Sequence, residues 1–147
     1  MKEGKTKMAE KQYVFLKLAE EEYGIDILHV REIINYQETT KLPNTSNVID
    51  GVINFRGNII PVINLKKRFN YNETIVKENS KIIIVNMREI NIGLIVDEAS
   101  HISTLDEKDI EDSLETVEGM DQKYIAGIGR MNGKIVILLN LSEIISL

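Results

Sequence analysis

In the run GVINFRGNIIPVINL, residues 51 to 65, the side chain best equipped for directional chemistry is Arg56, backed by Gly57, where two apolar stretches turn back on each other. A guanidinium offers a planar fork of N–H donors, so it can clasp a carboxylate or stack on a ring, but it is not a metal ligand or a base. Its chemistry is recognition. The other reactive types are less well placed. His29 and Glu32 form an H-x-x-E that could seat two metal ligands on one helix face, but a catalytic zinc takes three and no third is signalled nearby. Both histidines, His29 and His101, read as surface residues, and Ser100 beside His101 lacks the G-x-S-x-G frame of a nucleophile elbow. In GIGRMNG the glycines stand at 127, 129 and 133, one position too far for a dinucleotide fingerprint, and strand-spaced apolar residues follow. The carboxylates of residues 106 to 121 read as a solvated loop, without the cleft that acid–base pairs need. No enzyme chemistry, metal or cofactor is implied.

The composition narrows the partner. Net charge is -5, and Asp97 to Asp121 holds ten carboxylates with Lys108 as its one basic residue, a surface that repels phosphate backbones. Three Phe, five Tyr and no Trp make a poor base-stacking platform. Nucleic acid is therefore not the expected ligand. The most apolar stretch, Ile135 to Leu139, falls far short of the roughly 18 residues that span a bilayer, so no direct membrane contact is expected. The chain has no cysteine, in keeping with a reducing cytosol, and MKEGKTKMAEKQ has no signal-peptide core. Residues 1 to 11 are expected to form a flexible tail before one domain, residues 12 to 147.

The elements that must position Arg56 come in two copies. Residues 12 to 33 overlay residues 81 to 102 at an offset of 69 that pairs Gly24 with Gly93, and the apolar sets Val14, Leu16, Leu18 and Ile83, Val85, Met87 coincide. IDGVINFRGNIIPVINL from Ile49 overlays IAGIGRMNGKIVILLNL from Ile125 at an offset of 76, with six of seventeen positions identical. Each half reads as strand, turn, strand, a short amphipathic segment, a loop and a final hairpin. With 24 isoleucines and period-two patterning, the class is mainly β, and two small barrels are the economical arrangement. Helical signals are brief. Ile27, Val30 and Ile34 share one face of a helical segment, Thr104 and Glu107 have capping-box spacing, and residues 70 to 80 read as the connection between halves. Pro61 cannot donate to a ladder, so its strand is expected at an edge or beside a bulge.

The second copy serves as a control for the first. Its hairpin tip is Asn132-Gly133, a pair suited to a type I′ turn because both residues tolerate positive φ. The same turn strains an arginine by ~1 kcal/mol. The fold does not require Arg56, which points to a partner that does.

The segments EEYGIDILHVREI (residues 21 to 33), LPNTSNVIDGVINFRGNIIPVINL (residues 42 to 65) and IGLIVDEAS (residues 92 to 100) resemble the CheW family of bacterial chemotaxis coupling proteins. The likeness runs from about Gln12 to Leu147, with Phe55 standing where the family's GVxNLRG segment usually has leucine. It implies two SH3-like five-stranded barrels and an adaptor that is not an enzyme. Its implied partners are the cytoplasmic tips of methyl-accepting chemotaxis receptors and the regulatory domain of the histidine kinase CheA, met in the cytoplasm at receptor arrays. Carried over by position, Arg56, Gly57, Val30, Glu32 and Ile33 are implied to bind receptor, with Val96 and Ile102 as further groove residues. The kinase-contact residues are not placed. The stand-alone coupling protein is expected, rather than the type fused to a receiver domain or the kinase itself. The competing reading is a stand-alone SH3-like barrel that binds a small ligand or oligonucleotide.

Overall fold

A computed structural model describes residues 10–112 and 120–146. Residues 1–9 of the expected tail and 113–119 of the acidic stretch lie outside the described residues. Eleven strands follow in order: β1 (Glu10–Leu18), β2 (Glu21–Asp26), β3 (Val30–Asn35), β4 (Ile49–Phe55), β5 (Asn58–Asn64), β6 (Lys81–Met87), β7 (Ile90–Val96), β8 (Glu98–Asp106), β9 (Ile110–Glu111), β10 (Ile125–Met131) and β11 (Lys134–Leu139). Two single-turn helices, α1 (Leu65–Arg68) and α2 (Leu141–Ile144), follow β5 and β11, capped by the side chains of Asn64 and Asn140. These asparagines are one of the identities of the repeat, and each satisfies an otherwise unpaired amide of its helix.

The strands form two sheets, ordered β8-β1-β2-β11-β10-β9 and β3-β6-β7-β5-β4. Each sheet joins the first hairpin of one half to the later strands of the other, β1 and β2 to β8–β11 and β6 and β7 to β3–β5, so the halves of the sequence are exchanged between the lobes. Each hairpin is joined antiparallel on one side, β1 to β8 and β6 to β3, and parallel on the other: β11 meets β2 at Leu138↔Gly24, and β5 meets β7 at Val62↔Gly93. Both glycines make room there. A Cβ on Gly24 would stand 2.9 Å from Leu138 Cδ2, and one on Gly93 would stand 2.8 Å from Ile82 Cγ2 and 3.3 Å from Val62 Cγ2.

Strand alternation sorts the apolar residues into three cores. Val14, Leu16 and Leu18 of β1 join Ile83 and Val85 of β6 and Ile137 and Leu139 of β11 in a large cluster built from both sheets. The opposite faces of those strands supply Ile82 and Ile84 to the core of the five-stranded lobe, and Tyr13, Phe15, Val136 and Leu138 to that of the six-stranded lobe. Strands buried on both faces explain the near-continuous runs KIIIV and KIVILL.

Several local expectations are corrected. Residues 27–34 are a 3₁₀ turn (Ile27–His29) followed by β3, not a helix, and Asp106 rather than Thr104 caps the turn Glu107–Asp109 by accepting from the Lys108 amide. Glu10 and Lys11, placed in the tail, pair with Asp106 and Leu105. Pro61 lies on an internal strand and not at an edge, one pair from the register shift between Ile49 and Gly51 of its partner β4, so the bulge alternative is the one met. It is tolerated because parallel pairing with β7 starts only at Val62.

Across the lobe boundary, Tyr71 donates to Glu21 Oε1 at 2.8 Å, and Tyr23, with one proton to give, donates to the Tyr71 hydroxyl or to the same carboxylate oxygen at 3.1 Å. Burial, foremost, holds both phenols well above the ordinary value of 10.0. They stay protonated in the folded chain where the unfolded chain ionises, so their contribution is complete below about pH 10 and is lost as pH rises past it. The melting temperature is expected to fall steeply above that pH. In Tyr71→Phe, scanning calorimetry should show a shallower fall.

Candidate functional site

The tip of the β4–β5 hairpin is the two-residue loop Arg56-Gly57, closed by the pair Phe55↔Asn58. Arg56 has φ 51 and Gly57 φ 86; in the β10–β11 hairpin Asn132 and Gly133 have 53 and 77. The turns match, so Arg56 occupies a conformation that its counterpart fills with asparagine. Asn54 Oδ1 accepts from the Gly57 amide at 3.0 Å and pins the loop. Asn54→Ala removes that acceptor and is expected to cost about 1 kcal/mol, read as a fall of roughly 2–4 °C in melting temperature.

The Arg56 side chain is held on two sides. Its Nε and Nη2 donate to Glu32 Oε1 at 3.1 and 2.6 Å, and its Cζ lies 5.3 Å from the centroid of the Phe55 ring. The guanidinium is thus stacked and clasped but still 69% exposed, with Glu32 at 35%. An exposed pair of this kind adds about 0–1 kcal/mol to the fold, so its weight lies in how it presents charge to another molecule.

Glu32 reaches the tip because of a register shift. β3 pairs Val30 with Val85 and Glu32 with Ile84, leaving Arg31 as the extra residue. The bulge flips the alternation, so Val30 packs on the shared core while Ile34 packs on the core of its own lobe. β3 and β4 are the two edges of the five-stranded sheet, and the Arg56–Glu32 pair reaches from one edge to the other.

The six-stranded lobe repeats the backbone without the charge pair. At the offset of 69, Arg31 corresponds to Ser100, where β8 carries the equivalent shift between His101↔Phe15 and Ala99↔Leu16. Glu32 then corresponds to His101, whose ring lies 5.1 Å from Phe15, and Arg56 to Asn132. Ile33 and Ile102 are likewise equivalent, exposed by 40% and 54%.

The structure therefore brings Glu32, Arg56 and Gly57 together with Ile33 next in the strand, turns Val30 toward the shared core, and puts Ile102 on the other sheet. Val96 is corrected: at 1% exposure it is part of the shared core, so its side chain cannot line an open groove. Sequence reasoning missed Asn54 and Phe55 as the residues that hold the tip. The departure from leucine at Phe55 was the visible signal for the second.

A family model described as a CheW-like domain matches residues 12–147. The chain is 34% identical over 139 residues to the chemotaxis protein CheW of Bacillus subtilis, covering 95% of this chain and 88% of that one. With CheW of Klebsiella aerogenes the identity is 33% over 135 residues, covering 92% and 81%. The solved structure of the scaffolding protein TtCheW from Thermoanaerobacter tengcongensis superposes with a TM-score of 0.87 at 38% identity, covering 93% of each chain. These names are those of a chemotaxis protein and a scaffold, not of an enzyme. With its repeat, its two mainly β lobes and a family match over nearly its full length, the chain belongs to the CheW-like family.

Proposed function

We propose that this chain is a chemotaxis adaptor without enzyme activity, which holds the cytoplasmic tips of chemoreceptors and the regulatory domain of the histidine kinase CheA in one geometry. The observation that carries the reading is the Arg56–Glu32 pair, clasped at 2.6 Å on a strained tip whose counterpart is Asn132; the other lobe's exposed pair, Arg130–Glu111, lies on the strands instead. Strain kept where the fold offers asparagine as an easier choice is motivated by binding. Glu32, Ile33, Arg56 and Gly57 form the proposed receptor-facing patch, with Ile102 as its extension on the other lobe. Such an adaptor works in the cytoplasm at receptor arrays, and no helix among the described residues is long and apolar enough to cross a membrane.

The test is co-sedimentation of the purified chain with a receptor cytoplasmic fragment and a CheA regulatory domain. A ternary complex is the expected result. Retention of neither partner would overturn the reading.

A further inference from the structure

Among the described residues Lys66 is the one charged residue that is buried, at 5% exposure, and it sits where the two lobes meet. It belongs to α1 of the five-stranded lobe, and its Nζ lies 2.8 Å from Asp97 Oδ2. Asp97 is the single residue between β7 of that lobe and β8 of the other. The same Oδ2 accepts from the amide of Ala19 at 2.7 Å, in the β1–β2 turn of the six-stranded lobe, where Ala19 has φ 55. One carboxylate thus ties a helix of one lobe, the crossover between lobes and a hairpin of the other.

The repeat brings the two flanking positions together without the carboxylate, whose counterpart is Leu28. By the offsets of 69 and 76, Ala19 corresponds to Arg88 and Lys66 to Ser142. Arg88 Nη2 donates to Ser142 Oγ at 3.2 Å, an exposed contact between neutral and charged groups where the first junction has a buried ion pair. Between the two junctions lie the shared apolar core, which is favourable but not directional, and polar contacts nearer the surface, Tyr71 with Tyr23 and Glu21 and Arg68 Nη2 with the carbonyls of Glu143 and Ser146; among these the Lys66–Asp97 pair is the buried charged contact. A buried ion pair is seldom a net source of stability, because desolvation offsets the attraction; its best attested use is to fix register.

We propose that Lys66 and Asp97, with the Ala19 amide, are a registry lock: positioning residues that select one orientation of the two sheets over their common core. The importance of that orientation for holding two partners rests on the adaptor reading, but the lock itself does not. The test replaces the pair by Lys66→Met with Asp97→Asn, which removes both charges and keeps an acceptor for the Ala19 amide. The chain has no cysteine, so Asn58→Cys and Lys134→Cys, equivalent exposed positions on the two lobes, take spin labels cleanly. The expected result is a melting temperature within about 4 °C of the parent and a label–label distance distribution broadened by about twofold or displaced. An unchanged distribution overturns the proposal, whatever the melting temperature does. If the double variant does not fold, hydrogen exchange on the unaltered chain decides. The Ala19 amide should exchange as slowly as those of β7, and exchange at the rate of an open turn overturns the lock. Broadened distances with native affinity for both partners would keep the lock and count against the adaptor's need for a fixed geometry.

Discussion

Arg56→Asn is expected to weaken receptor binding at least about tenfold, or ~1.4 kcal/mol, while leaving the melting temperature within about 3 °C of the parent. The two halves of that expectation have separate causes. On the stability side, asparagine adopts the φ of 51 more readily than arginine, a relief of ~1 kcal/mol. It gives up an exposed ion pair worth about 0–1 kcal/mol, and the two changes nearly cancel. On the binding side, the variant converts the tip into a copy of Asn132-Gly133, with the same backbone and no guanidinium. Titration calorimetry with a receptor cytoplasmic fragment reads the affinity, and scanning calorimetry reads the fold. A second variant separates clasp from contact: Glu32→Arg with Arg56→Glu restores an internal ion pair with reversed ends. It should fold and fail to bind. Native affinity in the swapped protein would make the pair a structural clasp and move the receptor surface elsewhere.

Much of the architecture was legible from the repeat. Three of the six identities at the offset of 76 have the same structural role in both copies: Gly57 and Gly133 take positive φ, Asn64 and Asn140 cap helices, and Leu65 and Leu141 are buried. The exchange of hairpins between lobes was not legible. Period two says which residues of a strand are buried, but Gly24 meets Leu138 as well as it could meet Val62, because the two halves carry the same pattern. Only the course of the crossovers at Ile27–His29 and Asp97 decides, and those segments are too short to carry a periodic signal.

The helix expected over residues 27–34 failed for an instructive reason. A 3₁₀ turn brings Ile27 and Val30 to one side, and the bulge at Arg31 then resets the strand alternation, so a turn plus a bulged strand imitates helical spacing. The same bulge hid the clasp. Unbulged, β3 would set Val30, Glu32 and Ile34 on one face; with it, Glu32 leaves the face of Val30 and meets an arginine 24 residues away on the opposite sheet edge. Comparison with Asn132 made Arg56 stand out: a long charged side chain at positive φ conflicts with local preference, as at Arg88 and Glu89, but only at Arg56 does the aligned hairpin show the easier residue in the same turn.

Gly51→Ala is expected to destabilise the chain by about 3 kcal/mol, far more than the same change at its repeat counterpart Gly127. Both glycines lie at a register shift where their hairpins begin. At Gly51 φ is 154, and a Cβ would stand 2.4 Å from Thr40 O and 2.6 Å from Thr39 Oγ1. Neither neighbour can retreat. Thr40 exchanges two backbone hydrogen bonds of 2.9 Å with Val52, and Thr39 Oγ1 donates to Asp50 Oδ2 at 2.8 Å while receiving from Lys41 Nζ at 2.9 Å. The methyl group must therefore move backbone that is paired on both sides of it, and it adds strain at a φ that suits glycine. At Gly127 the nearest atoms are Ile110 Cγ2 at 3.1 Å and Glu111 O at 3.2 Å, a mobile methyl and the two-residue β9, which can shift by a few tenths of an ångström. That change should cost about 1 kcal/mol. Thermal melts of the two variants should then differ, with falls of roughly 6–12 °C for Gly51→Ala and 2–4 °C for Gly127→Ala. Equal falls would mean that the Thr39–Lys41 segment yields easily and does not brace the hairpin. The braced case ties this end of β4 to its far end, because the strand that cannot shift at Gly51 is the one that sets Arg56 against Glu32.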